Sequence, residues 1–304
     1  MRLNGVEIED TFAEAFGMRA ARLTITGIND NWAYNGAAAV TGFATSVIGC
    51  GVEAGIEGYS SNTPDGRPGM NCLFFAPSKD ELESNLLKRI GQAVMTCPTT
   101  ACFDGDLPEF KGNDSALSKV NIGGKLRFFG DGYQASKVIG AKRYWRIPVM
   151  EGEFLIQEEF TLAKAVGGGN FLILAENVES ALQACEAAVV KMKELKGIIL
   201  PFPGGVVRSG SKVGSKYKFL TASTNTAYCP TIKGRVEDTM LSENTNCVLE
   251  IVIDGLTDEL VSKAMGIGIR AAVEVPGVLR ITAGNYGGRL GKYHFHLHKI
   301  LGGN

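Results

Sequence analysis

The sequence predicts an α+β fold of two ferredoxin-like (βαββαβ) lobes, each an antiparallel sheet backed by helices. Three observations predict it. From Asn170 onward the elements run strand, helix, strand, strand, helix, strand, the split βαβ order. The first half follows the same order more loosely, with insertions. EGEF, Glu151 to Phe154, lies near the join of an N-terminal lobe with insertions at 1–150 and a C-terminal lobe at 151–304. With 304 residues, 45% of them hydrophobic, the chain is long enough to bury a core in each lobe.

Each element has a local reason. Ala20 to Thr26 alternates like a strand, and Asn29 to Val40 has the alanine content of a helix. Ala44 to Cys50 is β-branched and apolar, which predicts a second strand. Asn62 to Asn71 is dense in turn formers, and Cys72 to Phe75 reads as a strand. Ser78 to Met95 predicts a helix, with Ser78 and Glu81 as a capping box and Leu82, Leu86, Ile90 and Val94 on one face. Phe103 to Ile122 is polar and gapped and reads as a long loop. Lys125 to Phe129 and Arg143 to Val149 read as strands. In the second half, Asn170 to Ala175 is a strand and Val178 to Lys196 a helix. Ile198 to Leu200 and Cys247 to Asp254 are strands. Thr257 caps a helix running to Glu274, and Val278 to Thr282 and Tyr293 to Leu297 close as strands.

Composition excludes several classes. Lys and Arg total 31 against 32 Asp and Glu, a net charge of −1, which argues against a nucleic-acid-binding module. The seven cysteines include no CxxC and sit partly in apolar runs, as reduced thiols of a cytoplasmic protein do. The first residues carry acids where a signal peptide has an apolar core, and no apolar run is long enough to span a membrane.

Three stretches carry chemistry. Pro201 to Leu220 packs glycines and serines around Arg208, Lys212, Lys216 and Lys218, with no carboxylate between Glu194 and Glu237. Glycines admit close backbone approach, and the cations add charge, so the stretch is either a cradle for phosphate or carboxylate or a solvated basic loop. Glu250 lies in CVLEIVID, where alternation puts Val248, Glu250 and Val252 on one face. A carboxylate in so apolar a strand is a proton carrier with a raised pKa, a partner of a core cation, or a group facing solvent from an edge. YHFHLH holds all three histidines at alternate positions, His294, His296 and His298. With no acid or cysteine beside them they read as an exposed strand or a subunit contact in preference to a metal site.

The strings GVEIEDTFAEAF, TPDGRPG, FFGDGY, IPVMEGEF, GGGNFLILAE, PFPGG, SGSKVGSKYKFL, ASTN, EIVIDGL and AGNYGG occur in that order. Together they resemble the formylmethanofuran:tetrahydromethanopterin formyltransferases, from Asn4 to about Leu297. RYWRIPVMEGEF and VVRSGSKVGSKYK are more similar to the versions of one-carbon-oxidising bacteria, where the protein is one subunit of a formyltransferase/hydrolase complex. The resemblance implies a homotetramer that moves a formyl group between the amine of methanofuran and N5 of tetrahydromethanopterin. Both coenzymes act as substrates, and it implies no permanently bound cofactor or metal. Direct amine attack through a tetrahedral intermediate needs a proton shuttle and oxyanion donors. Glu250 matches the family's acidic residue in the EIVI strand. The anionic coenzyme tails suit Gly204, Gly205, Arg208, Ser209, Ser211, Lys212 and Lys216. Asp131, Asn225, Asn285 and Tyr286 lie in motif loops expected to line the cleft. The alternative is a non-catalytic subunit that binds coenzyme for a hydrolase partner.

Overall fold

The computed structural model describes residues 1–303. Twelve elements form its frame. In the N-terminal half they are β1 (Phe12–Thr26), α1 (Asp30–Thr41), β2 (Val52–Ser60), β3 (Gly69–Ala76), α2 (Lys79–Arg89) and β4 (Ala101–Asp104). In the C-terminal half they are β5 (Glu159–Ala175), α3 (Val178–Met192), β6 (Ile198–Ile199), β7 (Cys247–Gly255), α4 (Asp258–Ala272) and β8 (Val278–Thr282). The first set lies side by side in the order β4-β1-β3-β2 and the second in the order β8-β5-β7-β6, antiparallel throughout.

The sheets differ from the expectation in being joined. β1 and β5 are long enough to serve both halves, and they pair with each other from Phe16↔Gly167 to Ala20↔Ala163. The result is one 16-stranded sheet. It is not purely antiparallel: Gly152–Gln157 runs parallel to β4, and Val6–Ile8 runs parallel to β8. Long connections make these two parallel neighbours possible. The length of β5 depends on its GGG. A bulge falls between Val166 and Gly169, and a Cβ at Gly167 would collide with Met18, so the strands approach only because that atom is missing.

Helices cover one face of each half. Leu23, Ile25 and Phe74 pack on Ala33, Ala37 and Val40 of α1 and on Leu82 and Leu86 of α2. Phe171, Ile173, Ile251 and Ile253 pack on Cys185, Ala188 and Met192 of α3 and on Ala264, Met265 and Ile269 of α4. Full burial of each large side chain contributes about 1.5–3 kcal/mol. Met18, Leu73 and Phe75 meet Ile199 and Leu256 in a separate cluster that joins the halves on the opposite face.

The helix starts follow from their caps. Asn29, Ser78, Asn177 and Thr257 accept the backbone N–H of Trp32, Glu81, Ser180 and Leu260. At Ser78 the reciprocal half of the capping box is altered, because Glu81 accepts the Ser78 hydroxyl at 2.9 Å. The expected 78–95 helix is regular to Arg89 and then widens into a π turn at Ile90–Val94.

Three sequence expectations are corrected. Ala44 to Cys50 is a strand only at Thr45–Ser46. Ser46 then caps a turn of helix, Val47–Cys50, that Gly51 ends with φ 77°, so capping outweighs β-branching. Lys125 to Phe129 is helical, within Gly123–Leu126 and Arg127–Gly130, because a short apolar run carries no period of its own. Phe103 to Ile122 contains the strand Leu117–Asn121, paired with β5 from Glu159 to Ala163.

Candidate active site

Glu250 sits mid-strand in β7, opposite Leu172 of β5, on the face turned away from α3 and α4. The chain following PFPGG returns alongside it. Val207 N–H donates to the Glu250 carbonyl at 2.8 Å, and Glu250 N–H donates to the Val207 carbonyl at 3.0 Å. This brings Gly210 over the side chain, where an added Cβ would lie 3.5 Å from Glu250 Oε2. The carboxyl is half-buried, and burial alone pushes its pKa up to about 7. No cation pairs with it among the described residues, so the salt-bridge reading of this position has no partner here. A carboxyl titrating near 7 can accept and return a proton at neutral pH.

A second carboxylate on this side, Glu14 of β1, escaped the sequence reading. It is 1% exposed. Its Oε2 accepts the N–H groups of Tyr286 and Gly288 at 2.7 and 2.8 Å, and its Oε1 those of Leu290 and Gly291 at 2.5 and 2.6 Å. Burial acts to raise its pKa, and the four N–H donors outweigh burial and lower it to about 2. Gly287 and Gly288, at φ 70° and 72°, give the loop the left-handed turns that aim these amides inward. The signal was the one that selected Glu250, a lone acid in an alternating apolar strand, TFAEAF. Asn170, also missed, fixes the start of the same loop: its side chain accepts Gly284 N–H at 2.6 Å and donates to the Gly284 carbonyl at 3.2 Å.

The structure brings some of the selected residues together. Asn285 donates to Thr11 Oγ1 and the Phe12 carbonyl at 3.2 and 3.1 Å, bracing the loop. Tyr286 is 38% exposed, its ring 6.2 Å from that of Phe16. Burial raises the pKa of its phenol, and the charges of Glu250 and Glu14 raise it further. Asn225 N–H donates to the Gly210 carbonyl at 2.9 Å and closes the base of a hairpin in which Ser211–Val213 pairs with Ala222–Thr224. Lys212 donates to Thr226 Oγ1 at 2.6 Å, while Arg208, Ser209, Ser211 and Lys216 are exposed around that hairpin. In PFPGG the Gly205 amide donates to the Phe202 carbonyl at 2.7 Å, and Gly205 packs on Val189 and Leu200. Gly204 is exposed beside it.

Other features stand apart. Asp131 ends the turn Arg127–Gly130 in the N-terminal half with φ 49°, and no hydrogen bond or ion pair links it to the Glu250 region among the described residues. His294 and His296 share a strand beside Phe12, with ring centroids 5.0 and 5.2 Å away, but His298 falls in the next helical turn, so the three do not share one strand face. No cluster of three His, Cys, Asp or Glu able to hold a metal occurs among the described residues. A recess of about 340 Å³ beside Asp104, Lys119 and Lys142, and a groove of about 610 Å³ along α4 beside His294, both lack Glu250.

Comparison with known proteins gives this geometry a context. Residues 1–149 match the family model described as formylmethanofuran-tetrahydromethanopterin formyltransferase, and residues 152–300 match its proximal-lobe model. A formylmethanofuran–tetrahydromethanopterin formyltransferase of Methylobacillus flagellatus is 58% identical, with 99% of this chain and 100% of the relative covered. The enzyme of that name from Methanopyrus kandleri is 52% identical over the same shares. Among solved structures, the formyltransferase of Methanosarcina barkeri superposes with a TM-score of 0.90 at 50% identity, covering 99% of this chain and 100% of the other. A formyltransferase/hydrolase complex from Methylorubrum extorquens, solved with methylofuran, superposes with a TM-score of 0.94 at 47% identity, covering 100% of this chain and 99% of the other. No helix of the described residues is long and apolar enough to cross a membrane. The chain belongs to the formylmethanofuran–tetrahydromethanopterin formyltransferase family.

Proposed function

We propose that this chain moves a formyl group between the amine of a methanofuran-type coenzyme and N5 of tetrahydromethanopterin, with Glu250 as the proton shuttle. The observation that carries the assignment of Glu250 is its carboxyl: half-buried, without a cation, and titrating near 7 in the otherwise apolar run from Val248 to Ile253. The attacking amine adds to the formyl carbon and loses a proton to Glu250. The tetrahedral intermediate collapses, and Glu250 returns the proton to the leaving amine. The transfer is redox-neutral and draws on the two coenzymes alone. Arg208, Ser209, Ser211, Lys212 and Lys216 form a basic rim for the anionic tails. Gly204, Gly205 and Asn225 shape the turns behind it, and Asn285 and Tyr286 face it from the loop. Asp131 would meet coenzyme only in an assembly that brings another subunit's cleft to the N-terminal half.

The architecture behind this reading is two ferredoxin-like lobes, 1–150 and 151–304. It is supported by the matching strand orders β4-β1-β3-β2 and β8-β5-β7-β6. A cytoplasmic homotetramer, with further subunits as in the Methylorubrum complex, completes the reading. The same likeness supports an alternative, a coenzyme-binding subunit that leaves chemistry to a hydrolase partner. Formyl transfer by the purified chain decides between them: turnover between the two coenzymes supports the enzyme, and binding without turnover supports the alternative.

A further inference from the structure

We propose that the tip of the hairpin from Ser211 to Thr224 is a stacking platform. Tyr217 and Phe219 take a flat aromatic ring of one coenzyme, placed between its reacting nitrogen and its anionic tail. The proposal rests on the reading of the site as a formyl-transfer centre and names the part of the substrate that this hairpin recognises.

The hairpin is rooted beside Glu250. A Cβ on Gly210 would lie 3.5 Å from the Glu250 carboxyl, and the Gly210 carbonyl accepts Asn225 N–H at 2.9 Å. From that root the ladder runs outward. Ser211 pairs with Thr224, Lys212 with Ser223 and Val213 with Ala222, and Gly214 N–H donates to the Thr221 carbonyl at 2.8 Å. Four residues at about 3.3 Å each carry the chain about 13 Å from Gly210 before the tip begins. That span is longer than the ring that bears the reacting nitrogen. The group met at the tip therefore belongs to the next part of the coenzyme.

The tip has a fixed shape without packing on a core. Ser223 Oγ donates to the Gly214 carbonyl at 2.7 Å, and Tyr217 N–H donates to Ser215 Oγ at 3.0 Å. Leu220 N–H donates to the Tyr217 carbonyl at 3.0 Å. These bonds set Tyr217 and Phe219 side by side, with ring centroids 5.7 Å apart and planes inclined by 34°. The two residues are 64% and 81% exposed, and neither joins a hydrophobic core among the described residues. The hairpin is a two-stranded sheet of its own, separate from the main sheet. A lone hairpin is marginal in water, and bare rings at its tip do not stabilise it. Exposed apolar surface of this kind marks a binding site. At 5.7 Å the two rings leave no gap for a third, so a ligand ring lies against their outer faces.

The charges select the ligand. Lys216 and Lys218 alternate with the rings in KYKF, and no carboxylate occurs between Glu194 and Glu237 to offset them. An apolar protein surface would have to desolvate both ammonium groups. An aromatic ring followed by an anionic tail meets the rings and the cations together. Continuity with the Glu250 site favours a coenzyme over a second protein, because the same ladder carries Lys212 near its foot and the aromatic pair at its tip.

The test is coenzyme binding to the whole protein by titration calorimetry, which needs no turnover. The furan coenzyme and tetrahydromethanopterin are titrated separately. Phe219→Ala should weaken one of them about 10-fold, the loss of one stacked ring, with the assembly mass by light scattering unchanged. Phe219→Leu keeps apolar area but no flat face and should weaken binding nearly as much, whereas Phe219→Tyr should stay within about 2-fold of wild type. In kcat/KM, the loss in Phe219→Ala should shrink to within about 2-fold when the coenzyme is replaced by a fragment that ends at the reacting ring. An equal loss with the fragment would put the platform under the reacting ring and overturn the proposal. Unchanged affinity for both coenzymes overturns it too, and so does a changed assembly mass, which would make the tip a subunit contact. A wild type that transfers no formyl group, with coenzyme binding still weakened in Phe219→Ala, would sink the formyl-transfer reading and leave the platform standing.

Discussion

Glu14 and Glu250 are two carboxyls in apolar strands of one sheet, and they stand at opposite ends of the carboxylate range. Glu14 is almost wholly buried and has a pKa of about 2; Glu250 is half-buried and has a pKa of about 7. Burial acts to raise both groups, so it cannot account for the acidity of Glu14. The difference is the inventory of donors. Four backbone N–H groups converge on Glu14, whereas desolvation is the one influence that shifts Glu250. A carboxylate saturated with amides is a fixed anion and a structural clamp. One left without donors is poised to exchange a proton. Two acids equally visible in the sequence are thus sorted into scaffold and chemistry by loops that arrive from far along the chain.

The largest effect expected of this contrast is on Glu250→Gln. It keeps the shape and cannot carry a proton, so kcat should fall by about two to four powers of ten while coenzyme affinity holds. The contrast also fixes opposite pH signs for stability. The pKa of Glu250 is raised on folding, so its contribution is intact below about 4.5, declines between 4.5 and 7, and is gone above 7. Glu250→Gln should therefore melt with wild type in acid and above it at pH 8. The gain is at most about 3 kcal/mol, less what solvent screens at a half-exposed group. The pKa of Glu14 is lowered, so its contribution is intact above about 4.5 and is lost as pH falls toward 2. Glu14→Gln should melt below wild type at pH 7, and the gap should narrow in acid. Melting curves of both variants from pH 3 to 8 check the pair of signs; parallel shifts in the two would break the comparison.

How much of this could be read in the sequence divides along the same line. Local signals were legible: the caps at Ser78 and Thr257, the alternation around Glu250, and the helical stripe of Leu82 and Leu86 all stand where the residues placed them. Pairing across long separations was not. Nothing in TFAEAF says that its glutamate will meet amides some 270 residues later, because a backbone N–H leaves no mark on residue identity. The joining of the halves through β1 and β5 was hidden for the same reason. Ala44 to Cys50 failed differently: Ser46 and Gly51 were readable caps, outvoted by β-branched neighbours.

The basic rim sharpens the comparison at intermediate size. If charges near Glu250 serve coenzyme tails rather than the proton shuttle, their removal should act on KM. Lys212 already donates to Thr226, whereas Arg208 is exposed. Arg208→Ala should raise the KM of one coenzyme by roughly 5-fold, about 1 kcal/mol of uniform binding, and leave kcat nearly unchanged. The effect should shrink as salt rises. A fall in kcat at constant KM would place Arg208 with the chemistry instead.

The smallest effect belongs to a pair whose number of donors lies between those of Glu14 and Glu250. Asp254, fully buried, accepts Gly168 N–H at 2.9 Å on Oδ1, while Oδ2 has no hydrogen-bond donor and faces the acid of Glu53. Glu53 in turn accepts Val47 N–H at 3.2 Å. Burial, then the charge of the neighbouring Glu53, push Asp254 well above the usual carboxylate range, and burial raises Glu53 as well. One amide donor each is too few to hold two anions side by side, so the pair keeps a proton between them. Glu53→Gln replaces that shared proton with a permanent donor: the amide NH₂ can bond Asp254 Oδ2, and its carbonyl can still accept from Val47. Raised pKa values mean that the native pair is comfortable in acid and loses stability as pH climbs. The variant should therefore match wild type near pH 4 and exceed it at pH 8 by about 1 kcal/mol, or roughly 2 °C in Tm. Activity should be unchanged, since no hydrogen bond or ion pair links either acid to Glu250 among the described residues. A variant that melts lower at pH 8 would mean that the two carboxyls are ionised and separately satisfied. Donor count would then fail to order the acids of this sheet.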